Sequence, residues 1–174
     1  MLITHLGKAR LGLLASFEAW TDEQLNQRHD ARGWSAAQIL HHIAAVEQGL
    51  AADILDALDS RGGKVPELDP DALSPAISQF EGDEPPRIDF LTGAALIQQL
   101  EESRFRHLQR VFNETHEREL AERSAPHPLY GRISLKNLVD LVWLHDRRGI
   151  QRIDGIRAAW DPSGEPARSI QDIS

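Results

Sequence analysis

The sequence predicts an all-α protein, a four-helix bundle, on three observations. Four segments carry apolar residues at i, i+3 and i+4 spacing, residues suited to capping open three of them, and no segment alternates apolar and polar residues with the β-branched bias of a strand. Long amphipathic helices joined by two longer connections bury their apolar faces best by packing side by side. A chain of 174 residues suffices for one domain with its own core. The bundle is expected over 1–160, with 161–174 as a C-terminal tail.

The first helix is read from Leu2 to Trp20, on the stripe Leu2, Leu6, Leu13, Phe17 and Trp20, with Ala9 and Leu14 close to it. Thr21-Asp22 stops the pattern or caps a short turn, and Leu25 to Gly33 reads as a connection. The second helix opens at Ser35, where Gln38 completes a capping box. Its apolar face runs through Ile39, Ile43, Val46, Leu50, Ile54 and Leu58 to a stop at Gly62-Gly63. Between the second and third helices lies a long Pro-rich connection, Lys64 to Leu91, where Pro66, Pro70, Pro75, Pro85 and Pro86 forbid a long helix and 71–80 holds one or two short turns. The third helix starts at its cap Thr92 and ends near Glu114, with Leu96, Leu100, Phe105, Leu108 and Phe112 on its apolar side. Residues 121–133 form a second connection. The fourth helix opens at Ser134 and carries Leu138, Leu141, Val142, His145, Ile153 and Ile156 inward, to about Trp160, before Asp161-Pro162-Ser163-Gly164 ends it.

Composition narrows the function classes. A formal net charge of -8 without a marked Lys/Arg cluster argues against nucleic-acid binding. No stretch approaches the roughly 20 apolar residues that cross a bilayer, so no membrane partner is expected. The start of the chain lacks the pattern of a secretory leader, and a cytoplasmic location is expected. The absence of cysteine excludes disulfides, thiolate ligands and a cysteine nucleophile. There is no phosphate-binding glycine loop, no dinucleotide fingerprint, no HExxH and no GxSxG.

Eight histidines remain as the lead, and two of them are distinctive. His42 falls three residues after Ile39 and four before Val46, on the core-facing stripe of the second helix. His145 falls three after Val142 and four after Leu141 on the fourth. Two imidazoles directed into one bundle need hydrogen-bond partners, a metal or a water-filled cavity. Simple core histidines bonded to a carbonyl or carboxylate satisfy the same spacing.

The string Trp34-Ser35-Ala36-Ala37-Gln38-Ile39-Leu40-His41-His42-Ile43 resembles the start of the second helix in the DinB/YfiT-like family. The segments from His127-Pro128 to Leu135 and from Leu141 through His145 to Ile153 are similar to that family's last motifs, in the same order. The resemblance implies a four-helix bundle and a divalent metal, such as nickel or zinc, held by one histidine of the second helix and a His-x-x-x-His pair of the fourth. His42 and His145 match two of these positions, whereas the third is Gly149, and the glutamine common after that pair is replaced by Arg152. The metal is therefore either held with a substitute ligand, Glu47 or His5 being the candidates, or absent. Gly149 leaves space for a ligand or a bulky neighbour, and Arg152 disfavours a cation and favours an anion. Three readings follow. A small-molecule-binding protein would use His42 and His145 with Glu47, Gly149 and Arg152 as a pocket for an anionic ligand. A metal-dependent enzyme would resemble the family's thiol-dependent transferases and isomerases. A structural module would use the homodimer common in the family, with Leu11 and Trp160 as exposed apolar positions.

Overall fold

A computed structural model describes residues 1–29, 33–60, 62–82 and 84–160. The tail expected over 161–174 lies outside the described residues. Four long helical segments form the bundle: α1 (Leu2–Phe17), α3 (Ala36–Leu58), the broken third helix, and α8 (Leu135–Trp160). Both α1 and α3 pack on α8, and α3 also packs on the third helix. Among the described residues, no helix is long and apolar enough to cross a membrane.

The helix starts follow from capping chemistry. Ser35 Oγ accepts from Gln38 N, and the Gln38 side chain accepts from Ser35 N, so two backbone donors exposed at the start of α3 are satisfied. Thr21 and Gln24 build the same box on α2 (Asp22–Asn26), a short helix where a connection was expected from Leu25. Thr92 caps α5 through Ala95 N, and Ser134 Oγ receives Asn137 N at the start of α8. α1 stops at Phe17 rather than Trp20, and α3 stops at Leu58, four residues before the glycines that were expected to end it.

The third helix departs from expectation in its middle. α5 (Gly93–Glu102) passes into a π-helical turn over Ser103–Leu108 and then into α6 (Gln109–Glu114). Gln109 N donates to Arg104 O, five residues back, where an α-helix would reach back four. The wider turn resets which residues face the core. Ser103 and Leu108 are buried at a spacing of five, while Phe105, read as apolar core, is 70% exposed. Arg104 instead points inward.

Residues 59–92 contain a 3₁₀ turn at Pro70–Leu73 and α4 (Ser74–Glu81), both with proline in the first turn, where its missing N–H costs nothing. Asn137 pins this segment to α8, accepting from Leu68 N and donating to Leu68 O. α7 (Glu117–Glu122) runs into the segment expected as a second connection, 121–133, and an antiparallel hairpin, β1 (Ser124–His127) with β2 (Gly131–Ser134), takes up the rest. Gly131 has φ +68°, a left-handed conformation that glycine takes without steric cost. The hairpin shows only weak alternation over four-residue strands, which is why the sequence pattern does not reveal it.

The core is in two parts. One gathers Leu2, Leu6, Leu50, Ile54, Leu108 and Leu141. The other gathers Leu13, Phe17, Leu40, Ile43, Leu100 and Ile153. Between them in every helix sits one charged side chain: Arg10 of α1, Glu47 of α3, Arg104 of the π turn and Asp146 of α8. Arg10 Nε and Nη2 donate to Asp146 at 3.1 and 3.2 Å, and Nη2 also donates to Glu47. Arg104 Nε donates to Glu47 at 2.6 Å and Nη2 to Asp146 at 3.2 Å. Each guanidinium thus touches both carboxylates, and the four formal charges sum to zero. Glu47 and Asp146 are buried, with relative exposures of 1% and 0%. Burial raises the Asp146 carboxyl above the usual range, and the nearby guanidiniums of Arg10 and Arg104 oppose that rise. Arg10 is pushed down by burial, but the charges of Asp146 and Glu47 outweigh this and hold it above its ordinary value.

Removing one carboxylate strands a buried guanidinium, so Asp146→Ala or Glu47→Leu is expected to cost about 3–5 kcal/mol in urea unfolding. Ser35→Ala, which loses only a cap, is expected to cost about 1 kcal/mol in the same assay.

Candidate functional site

α3 and α8 bring His42 and His145 together, with ring centroids 5.0 Å apart and planes at 67°. The contact follows from the helix pitch, because each lies on the stripe that its helix turns toward the other. Trp34, just ahead of the Ser35 cap, presents its ring to His42 edge-on, 5.3 Å between centroids. Arg152, two turns beyond His145, lays its guanidinium over the Trp34 ring, with Cζ 4.5 Å from the centroid. The result is a run of four side chains from Arg152 through Trp34 and His42 to His145. The first three are half-buried, whereas His145 is 3% exposed.

The electrostatics of this cluster disfavour added positive charge. Burial, then His42, then Arg152 push the His145 imidazole down to about 3, so it is neutral near pH 7. A neutral imidazole still offers one N–H donor and one acceptor nitrogen.

The other expected site residues do not join the pair. At Gly149, an added Cβ would lie 2.4 Å from Ile43 Cδ1 and 3.2 Å from Leu13 Cδ1. The space is thus held by bulky neighbours, not left for a ligand. A third imidazole cannot enter there without moving packed core side chains. Glu47 is buried in the four-residue ion network, its two oxygens accepting from Arg10 and Arg104, so it is no substitute ligand. His5 stacks on Trp143 at 4.9 Å instead. Trp143 precedes His145 by two residues and so leaves the opposite side of α8. Among the described residues, no group of three His, Cys, Asp or Glu side chains is placed to hold a metal. The donor set therefore does not fit the three-ligand metal centre that the resemblance implies. Of the positions considered for an exposed apolar surface, Leu11 is 69% exposed, whereas Trp160 is half-buried and packs on Trp20 at 4.6 Å.

The pattern search did not single out Trp34, Arg10, Arg104 or Asp146. For Arg10 a signal was present, since it interrupts the apolar run between Leu6 and Leu13 on the inward face. Arg104 carried the same signal, four residues after Leu100 and four before Leu108 on the inward stripe.

Known proteins resemble this chain along most of its length. Residues 5–149 match the DinB superfamily. The uncharacterized protein YuaE of Bacillus subtilis (strain 168) is 21% identical over 155 residues, which is 86% of this chain and 93% of YuaE. The structure of YfiT from Bacillus subtilis, a probable metal-dependent hydrolase with an unusual four-helix bundle topology, aligns with a TM-score of 0.61 at 20% identity, covering 91% of this chain and 85% of YfiT. The four-helix bundle protein TT2238 aligns with a TM-score of 0.58 at 14% identity, covering 88% of this chain and 96% of its own. These two likenesses agree with the bundle described above, and the match over 5–149 assigns its lineage: the chain belongs to the DinB superfamily.

Proposed function

We propose that this protein is a small-molecule-binding member of the superfamily that works without a bound metal, and that the His42–His145–Arg152 cluster receives a small carboxylate or similar anion. The observation that carries this reading is the closed corner at Gly149, where Ile43 Cδ1 would meet an added Cβ at 2.4 Å. Imidazole N–H donors with an arginine nearby suit an anion better than a divalent cation. Arg152 would supply charge, held in orientation by the Trp34 face. His145 and His42 would supply N–H donors, and an anion at their side would favour the protonated imidazole that burial otherwise suppresses.

The metal dependence attributed to YfiT is a property of that protein. In this chain two of the expected ligand positions remain, and the reading is tested by loading. Purified, untagged protein incubated with nickel or zinc and desalted is expected to retain well under one metal per chain by ICP-MS. Near-stoichiometric metal that disappears in both His42→Ala and His145→Ala would overturn the proposal and favour a metal-dependent enzyme. Titration with acetate or phosphate, followed by imidazole ¹⁵N shifts, is expected to perturb both histidines and to weaken at least five-fold in Arg152→Gln.

The depressed His145 also sets a pH dependence. In the unfolded chain its imidazole takes a proton near pH 6.5, whereas the folded site resists protonation down to about 3. The unfolded state therefore binds more protons between these values, and stability falls as pH falls, by up to about 1.4 kcal/mol per pH unit. Urea unfolding at pH 7, 6 and 5 is expected to show this loss, and His145→Asn is expected to flatten it. An added saturating anion should reduce the same slope.

A further inference from the structure

Away from the histidines, on the opposite side of the ion network, α1 and the π turn enclose a groove of about 430 Å³. That volume lies within the range of small-molecule pockets, about 300–1,000 Å³. Its walls are apolar: Ile3, Leu11 and Leu14 on one side, Phe105, Leu108 and Phe112 on the other. Its polar groups are Arg10 and Arg104, which belong to the ion network, with Glu101 and Gln109. Ile3, Leu11 and Phe105 are about 70% exposed, at 69%, 69% and 70%.

Three features favour a ligand over a bare surface. The π turn is the first: it forms one wall of the groove, with Arg104 and Phe105 on it, and such turns occur often at functional sites. Gly7 is the second. It lies inside α1, where glycine costs about 1 kcal/mol relative to alanine, and no atom lies within 4 Å of the place its Cβ would take. Packing within the chain does not require that glycine, but a side chain there would project into the groove that Gly7 lines. An open β position alone would not decide this, since Gly49 and Gly155 share it; what distinguishes Gly7 is its place in the groove wall.

The third feature fixes the chemistry. Arg10 Nη1 donates to Leu100 O at 2.7 Å, and Arg104 Nη1 donates to Leu6 O at 3.1 Å. Each Nη1 carries a second hydrogen. The network as a whole is neutral, and its two arginines line the groove, so that end of the groove is polar without net charge. We infer that the groove between α1 and the π turn binds an elongated, uncharged apolar molecule bearing a terminal hydrogen-bond acceptor, such as a hydroxyl or carbonyl, set against Arg10 and Arg104. This site is independent of the proposed anion site, which lies between α3 and α8.

The test is titration with the uncharged fluorophore N-phenyl-1-naphthylamine, with 1-octanol and octanoate as competitors. Saturable binding of one dye per chain is expected, displaced by 1-octanol at least five-fold more effectively than by octanoate. Gly7→Leu should fill the groove and weaken dye binding at least ten-fold, while its circular dichroism stays native, because leucine is the better helix former. Gly49→Leu, on α3 and outside the groove, should bind dye within two-fold of the parent. Dye binding unchanged in Gly7→Leu, or no saturable binding, would overturn the inference. So would a dimer in sedimentation velocity that Gly7→Leu converts to monomer, since the groove would then be covered by a second copy. Octanoate competing as well as the alcohol would overturn the neutral-ligand assignment.

Discussion

The arrangement of this bundle depends on four charges buried where its four helical segments meet. Arg10, Glu47, Arg104 and Asp146 come one from each segment, and each cation contacts both anions. Such a group is a poor source of net stability, because desolvating four ions offsets most of their attraction. It is a strong determinant of geometry. Any sliding or rotation of one helix would leave a buried charge without its partner, so the network penalises alternative registers more than an apolar layer would. The π turn belongs to the same constraint. Arg104, four residues from both Leu100 and Leu108, enters the rung from that turn, while Phe105 beside it is exposed.

Both candidate sites take their positions from that rung. His145 precedes Asp146 directly on α8, so locking Asp146 also fixes the angle at which the imidazole leaves the helix toward His42. On the other side, Arg10 and Arg104 line the groove. One polar layer thus stands between two surfaces of different chemistry, one with Arg152 over Trp34 beside the imidazoles and one largely apolar. A shift of the third helix would disturb the groove first, because only the groove borrows a wall from it.

Sequence pattern made the helices legible because capping and apolar period are local properties. Ser35, Thr92 and Ser134 each cap where their residue type says they should. The His42–His145 approach was legible too, since both residues sat on stripes that could face one another. What pattern missed depends on context. A π turn shifts the phase of a helix by one residue without changing its composition, and Phe105, read as core, is exposed. The four-residue hairpin, β1 with β2, is too short for alternation to register. Glu47 was misread for a related reason, because its face of α3 could be deduced but not the two arginines that meet it there.

Gly149 carries the difference between this chain and a three-histidine site, and its effect reaches beyond a missing ligand. The α1–α8 contact has a second glycine, Gly12, whose β position lies 3.1 Å from Ile150 Cδ1. Small residues at Gly12 and Gly149, one on each helix, let α1 approach α8 closely enough for Leu13 to reach the residue-149 corner, while Ile43 enters from α3. Protein interiors pack at near-crystal density, so an imidazole enters a corner filled by two branched side chains only if those side chains move. His42 and His145 meet near this apolar corner, and burial, with His42 and Arg152 nearby, makes His145 hard to protonate.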